Sequence, residues 1–229
     1  MARKYIIGLL TVVLSFFSTA TYAQWSLGAG ASSFHGLNLP IHRYGFNVFV
    51  EIPRSPNNSF MVRAAYLLPN IAEGQSVTVN AIGTAQPSAT TAMANSKTTY
   101  FAVDGGSRVY LFNDYDIGTS MYVGGYIKGI ISSYKATYRM TDKTLDPSEY
   151  ALSVPPYTTL DSKSGKALYS MFFSFGGSVG VKHQLPRGAL MFDAGIELVS
   201  PLMDPSGILR NEIMPLSFSL NLAYRFDWY

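Results

Sequence analysis

Apolar and polar residues alternate along most of the chain, and the alternation is clearest at its end. Within residues 215–229, apolar side chains occupy the even positions from Phe218 to Trp228, and polar or small side chains occupy the odd positions from Ser217 to Asp227. Successive residues of a strand point to opposite faces of a sheet. The segment is therefore predicted to be a strand with one apolar face and one polar face.

The same period of two recurs in seven earlier segments, which brings the predicted number of strands to eight. Several of them are ten residues or longer, and about ten residues are enough for a tilted strand to cross a membrane. The seven segments are Trp25–Ser33, Tyr44–Ile52, Ser59–Leu68, Thr98–Phe112, Ile117–Tyr138, Ala167–Leu185 and Ala189–Leu198.

The connections between these segments alternate between short and long. Three are short and rich in turn-forming residues, at 53–58, 113–116 and 186–188, and the four longer ones are 34–43, 69–97, 139–166 and 199–214. Outer-membrane barrels have short periplasmic turns and longer extracellular loops. The pattern predicts an all-β fold, a closed antiparallel eight-stranded transmembrane β-barrel of meander topology with both termini in the periplasm. A soluble sandwich is the alternative, but it gives no reason for the alternation.

Apolar side chains such as Phe46, Val62, Ile127 and Phe175 define the outward parity of the predicted strands, and ten charged residues fall on the opposite, polar parity. An Arg or Lys facing the bilayer midplane would cost about 2–4 kcal/mol. We therefore expect a lumenal charge network of five acids and five bases that neutralise one another and plug the barrel: Glu51, Arg63, Asp104, Arg108, Lys128, Lys182, Asp193, Glu197, Arg225 and Asp227.

The N-terminal segment has the three parts of a secretory signal peptide. Arg3 and Lys4 precede an apolar stretch, and small residues end at Ala23. The predicted division is a signal peptide at 1–23 and an outer-membrane barrel at 24–229. Charged residues make up 14% of the chain, whereas globular domains carry about 25%. The excess of basic over acidic residues, 17 against 14, is too small and too dispersed to indicate a nucleic-acid partner.

Aromatic residues collect near the predicted strand ends, where amphipathic rings favour a membrane interface. The predicted periplasmic girdle contains Trp25, Phe112, Tyr115, Phe226, Trp228 and Tyr229, and the outer one contains Phe34, Tyr44, Tyr66, Tyr100, Tyr134, Tyr138 and Tyr169. With the signal peptide and the eight amphipathic strands, the aromatic C-terminal strand resembles the small OmpA/OmpX/OmpW-like outer-membrane barrels, in a form similar to Bacteroidota members. The resemblance implies an insertion signal at Tyr224, Phe226, Trp228 and Tyr229.

Few residues suggest a catalytic, metal-binding or ligand-binding site. His35 and His42 lie near Ser32 and Ser33, but this region has no acid to complete a general-base arrangement, so no catalytic residue, metal site or cofactor is predicted. The acids of the third loop do not fit a calcium-loop spacing. Outward-facing Gly105, Gly125 and Gly177 suggest a groove for a lipid or a partner, although glycine also serves the curvature of a tight barrel.

These observations predict a non-enzymatic barrel in the outer membrane of a Gram-negative bacterium. Its expected role is structural or interactive, with long extracellular loops and a docked outer-membrane protein partner. Outer-membrane lipid, lipopolysaccharide and the barrel-insertion machinery are the other expected partners. Two alternatives remain open at this point: a lipid-modifying enzyme, and a narrow conduit for small or apolar solutes.

Overall fold

A computed structural model describes residues 25–37, 42–152, 167–203 and 213–227. Within them, a 3-10 turn at Pro147–Glu149 accompanies nine strands. The strands are β1 (Ser26–Gly36), β2 (His42–Ser55), β3 (Asn58–Ala81), β4 (Ala89–Leu111), β5 (Thr119–Met140), β6 (Tyr150–Leu152), β7 (Ala167–Leu185), β8 (Gly188–Met203) and β9 (Leu216–Phe226). In this part of the chain, no helix has the length and apolar character needed to cross a membrane.

Eight of the strands form a closed ring. β1 pairs antiparallel with β2 on one side and with β9 on the other, so Leu27 lies opposite both Val50 and Phe226. The remaining pairs follow chain order, and β5 pairs with β7 because the short β6 lies beside the end of β3 instead. The predicted eight-stranded antiparallel meander is confirmed, with β6 as an addition outside the ring.

The two ends of the barrel differ. The chain enters β1 and leaves β9 at one end, here called the terminal end, which also carries the connections at 56–57, 112–118 and 186–187. The opposite end, the loop end, carries the other four connections. The prediction that short and long connections alternate strictly is wrong at the first connection of the loop end. Only residues 37–41 separate β1 from β2, fewer than the residues of 112–118, because the two strands continue through half of the segment predicted to be a loop.

The largest difference from the sequence prediction is at the second loop. Residues 69–97 were predicted to be mainly a loop, but β3 continues to Ala81 and β4 begins at Ala89. Together with the end of β5 and with β6, they form what we call the projecting sheet, which comprises residues 71–81, 89–97, 135–140 and 150–152. The β-branched residues of 77–79 and 90–91 favour strands here.

The projecting sheet has a small core of its own. Val79, Ala92, Met140 and Tyr150 are buried together, and Leu145 packs against them. Residues 141–152 run from the end of β5 to the edge of β3, where the backbone N–H of Ile82 donates to the carbonyl of Glu149 at 2.8 Å. This crossing segment covers one face of the sheet, while the other face stays exposed.

The outer surface of the barrel is apolar. The apolar residues predicted to point outward, Phe46, Val62, Ile127 and Phe175, are all exposed, and Ile127 remains 59% exposed. From the paired Leu111 and Met121 to the paired Phe101 and Ile131, the apolar positions of β4 and β5 cover about 33 Å along a strand. At the tilt of membrane barrels this corresponds to a band of about 25 Å.

The predicted aromatic girdles are correct only in part. Trp25, Tyr44 and Tyr169 are exposed at the barrel ends. In contrast, Phe34, Tyr100 and Tyr115 are buried inside the barrel, because their side chains have the inward parity of their strands or, for Tyr115, fold back from a turn. Nearness to a strand end is therefore not enough to predict a girdle residue; the parity of the residue must also be outward.

Candidate functional site

The lumen near the terminal end is built around Glu51. Tyr110 Oη and Ser59 Oγ each donate to Glu51 Oε1 at 2.6 Å. Arg108 Nη1 lies 3.5 Å from Oε1, and Arg225 Nη1 lies 3.5 Å from Oε2. The carboxylate is fully buried, so two cations and two hydroxyl donors replace the water that it loses on burial.

Asp193 is the second centre of the network. Arg108 Nη2 lies 3.1 Å from its Oδ2 and Arg63 Nη1 lies 3.5 Å from its Oδ1. Tyr122 and Asn221 donate to the same carboxylate at 3.2 Å and 2.8 Å. Because Arg108 contacts both carboxylates, it links the two centres into one network across the barrel.

Two further ion pairs extend the network toward the loop end. Arg63 Nε donates to Asp104 Oδ2 at 3.0 Å. Lys128 Nζ donates to Glu197 Oε1 at 2.6 Å, and Ser174 Oγ donates to the other oxygen of Glu197 at 2.5 Å. At the terminal end, Arg225 Nε pairs with the half-buried Asp227 at 2.8 Å.

Lys182 differs from the expectation that all ten charged residues pair with one another. It is buried, but its Nζ donates to the backbone carbonyls of Asp114, Tyr115 and Ile117 at 3.1, 2.8 and 3.2 Å. These carbonyls belong to the connection 112–118, so Lys182 holds that turn against the inside of the barrel. The other nine residues of the set form ion pairs with one another.

Side chains fill most of the lumen at mid-height and above. A cavity of about 30 Å³ there is lined by residues that include Arg63, Asp104 and Lys128, and it has room for only about two water molecules. Above it lies an apolar layer in which Ile213 is buried against strand residues: Phe34, Leu67, Tyr100, Ala102, Ile130, Phe172 and Val199. Ile213 thus packs into the barrel mouth, whereas Leu202 and Met203 are exposed.

The three outward glycines have open space beside them. A Cβ added to Gly105, Gly125 or Gly177 would meet no atom closer than 3.5 Å, and Gly125 is paired directly with Gly177. Their inward neighbours are different, since a Cβ on Gly106 or Gly176 would approach a carbonyl oxygen to 2.1 or 2.3 Å. Close strand packing therefore explains the inner glycines, and the proposed groove rests on the outer ones alone.

The histidines form no catalytic arrangement in the described part of the chain. His35 and His42 are opposite each other on β1 and β2, with 2.6 Å between their Nδ1 atoms, and Ser33 Oγ lies 3.2 Å from His35 Nε2. No described carboxylate hydrogen-bonds to this pair. His183 is exposed at the terminal end of β7, where its Nδ1 is 2.7 Å from Thr119 Oγ1.

The acids of the third loop are engaged locally. Asp142 accepts hydrogen bonds from the backbone N–H and the hydroxyl of Thr144, and these bonds lower the pKa of its carboxyl. The N–H of Ser148 lowers the pKa of Asp146 in the same way. Among the described residues, no three His, Asp or Glu side chains come together as metal ligands would. These carboxylates stabilise turns of the crossing segment.

The C-terminal strand has the expected orientation where it is described. Tyr224 and Phe226 have outward parity and their rings make an edge-to-face contact at 4.7 Å between centroids. Trp228 and Tyr229 lie outside the described residues, as does the predicted signal peptide at 1–23.

The sequence analysis did not predict the uncharged tyrosines that belong to the lumenal network. Tyr110, Tyr115 and Tyr122 are buried among the lumenal charges, and the Tyr110 ring lies 5.6 Å and 5.5 Å from the other two. Tyr110 and Tyr122 share the parity of the predicted charges, so parity alone could have found them. Tyr115 lies in a turn, where no periodic signal exists.

Comparison with known proteins supports the fold and leaves the family open. No family model and no curated protein matches the sequence. Among solved structures, Neisserial surface protein A is similar over 89% of this chain and 97% of its own, with a TM-score of 0.53 and 10% identity. Ail, the attachment invasion locus protein of Yersinia pestis, crystallised with sucrose octasulfate, covers 89% of this chain and 99% of its own at a TM-score of 0.49 and 12% identity. A major outer membrane protein from Thermus thermophilus is similar over 90% of this chain and 100% of its own, with a TM-score of 0.45 and 14% identity.

Proposed function

We propose that the protein is a sealed outer-membrane barrel whose role is to present the projecting sheet to a partner outside the cell. An apolar band of about 25 Å matches the hydrocarbon thickness that outer-membrane barrels span. In this proposal the loop end is extracellular and both termini are periplasmic. The likeness to Neisserial surface protein A supports the fold on which this proposal rests.

One observation carries the proposed role: the projecting sheet has its own buried core beyond the apolar band. A surface that is already ordered loses less conformational entropy on binding than a flexible loop does. Its exposed face includes Met93, which is 44% exposed and lies opposite Ser76 on one side and Arg139 on the other. We expect the partner, an outer-membrane or cell-surface protein, to contact this face.

The lumen argues against the two alternatives. Ion pairs and an apolar layer fill it around a cavity of about 30 Å³, which is too small for a solute path. A hydrolytic site on lipid would need a base and an orienting acid, and the described surroundings of His35 and His42 supply no acid. The proposal is therefore of an interaction protein and not of an enzyme or a conduit.

The test is to extract the tagged protein gently from its native outer membrane and to quantify what remains bound. We expect a stoichiometric partner with the intact protein and its loss with Met93→Glu, which places a charge at the centre of the exposed face. Arg187→Glu, in the exposed turn at the other end of the barrel, is the control and should retain the partner. Absence of a partner, its retention by Met93→Glu, or sustained ion conductance in a planar bilayer would contradict the proposal.

A further inference from the structure

Two lysines face each other at the base of the projecting sheet. Lys97 on β4 and Lys135 on β5 are directly opposite in the strand register, and both are exposed on the lipid-facing parity. Side chains opposite each other in an antiparallel pair have Cβ atoms about 4.5–5.5 Å apart, and like charges in this arrangement are destabilising. An anion between the two ammonium groups would turn this repulsion into attraction.

The surrounding protein supplies no such anion among the described residues. Neither lysine forms an ion pair in this part of the chain. Asp104 is the single acidic residue within β4, β5 and β7. Its side chain points into the lumen and pairs with Arg63. On the neighbouring stretch of β3, Glu73 is exposed at a register irregularity and makes no ion pair with Lys97.

The height of the pair matches a lipid headgroup. The last exposed apolar pair below it is Phe101 and Ile131, four residues away on each strand, which is about 13 Å along a strand and about 10 Å along the barrel axis at the usual tilt. The row between them contains Ser133 and Tyr169, polar and aromatic residues of an interface. Flexible lysine side chains then place their charges at the level of the headgroups.

We propose that Lys97 and Lys135 together bind a phosphate group of a phosphorylated glycolipid in the outer leaflet. Arg139, two outward positions beyond Lys135 on the same strand, adds positive potential above the site. The acyl chains of the same lipid would lie against the apolar band directly below. This inference goes beyond partner docking, because it requires the loop end to meet the outer leaflet but does not require a protein on the projecting sheet.

The test uses the full-length protein in phosphatidylcholine nanodiscs that contain a small fraction of phosphorylated lipid A. We expect the double variant K97Q/K135Q to retain the lipid about tenfold more weakly, since two charge-assisted contacts are lost. The control K143Q removes a single positive charge from the third loop and should bind like the unmodified protein. Retention of heat-modifiable gel migration verifies that each variant is folded.

A second readout separates the site from a general effect of charge. In nanodiscs without anionic lipid, K135Q should raise the midpoint of thermal unfolding by relieving repulsion, and with phosphorylated lipid A it should lower the midpoint. Dephosphorylated lipid A and phosphatidylglycerol should be retained poorly. Binding of the double variant within twofold of the unmodified protein, an equal loss with K143Q, equal retention of those two lipids, or displacement by millimolar inorganic phosphate would overturn the proposal.

Discussion

Lys128 on β5 and Glu197 on β8 form an ion pair that bypasses the strand between them. Their Nζ and Oε1 atoms are 2.6 Å apart, both side chains are buried, and β7 separates the two strands in the sheet. The lysine also lies 5.3 Å and 5.1 Å from the centroids of the Phe34 and Tyr126 rings. The two side chains share the inward face and are long enough to bridge the distance of about 9.5 Å between strands two apart in a sheet.

Removal of one partner of this pair should be costly, and removal of both should not. Lys128→Ala leaves the Glu197 carboxylate buried without its cation, which is expected to lower the free energy of unfolding by about 3–5 kcal/mol. Lys128→Met combined with Glu197→Met should recover most of this loss. Urea unfolding in detergent micelles measures both values, and equal destabilisation by the single and double variants would show that the ion pair is not the source.

Two adjacent glycines provide a matched comparison of the two barrel faces. Gly106→Ala places a methyl group 2.1 Å from the Gly125 carbonyl oxygen, whereas the same change at Gly105 meets nothing closer than 3.8 Å. Overpacking of this kind costs about 1–3 kcal/mol or more. We expect Gly106→Ala to lower stability by at least this amount and Gly105→Ala to be nearly neutral. Equal effects would contradict the assigned faces.

Lys182 is expected to stabilise the connection 112–118 more than the barrel as a whole. Lys182→Met removes three hydrogen bonds to carbonyls of the 112–118 connection, and unpaired buried carbonyls cost about 1–3 kcal/mol. Hydrogen–deuterium exchange should therefore accelerate at residues 112–118 while β4 and β5 remain protected. Uniform acceleration over the whole barrel, or none, would show that Lys182 does not act on this turn.

The buried tyrosines should contribute through their hydroxyl groups. Tyr110→Phe removes a 2.6 Å hydrogen bond to the Glu51 carboxylate, and hydrogen bonds to charged groups contribute about 1.5–3 kcal/mol. Tyr44→Phe is the control, because Tyr44 is 60% exposed on the outer surface. Equilibrium unfolding should show a loss of this size for Tyr110→Phe and a much smaller one for the control.

The strand pattern determined most of the architecture in advance. A period of two gave the number of strands and the face of each residue, and a one-residue error would have moved every charge to the lipid side. The projecting sheet was harder to predict, because its strands are polar on the exposed face and rich in Ala, Ser and Thr, like a loop. Lumenal partners such as Arg63 and Asp193 could not be paired from sequence, since the curvature that brings them together is set by the closed ring.

The central claim is that apolar side chains face the bilayer while charged ones are enclosed by a closed sheet. The chain has no cysteine, so single cysteines at positions 121–131 of β5 can each carry a spin label in lipid vesicles. The account predicts that labels at odd positions collide with lipid-dissolved oxygen, and that labels at even positions are reached by neither oxygen nor an aqueous nickel reagent. Odd positions open to the aqueous reagent, or a protein that is folded and soluble without detergent, would contradict it.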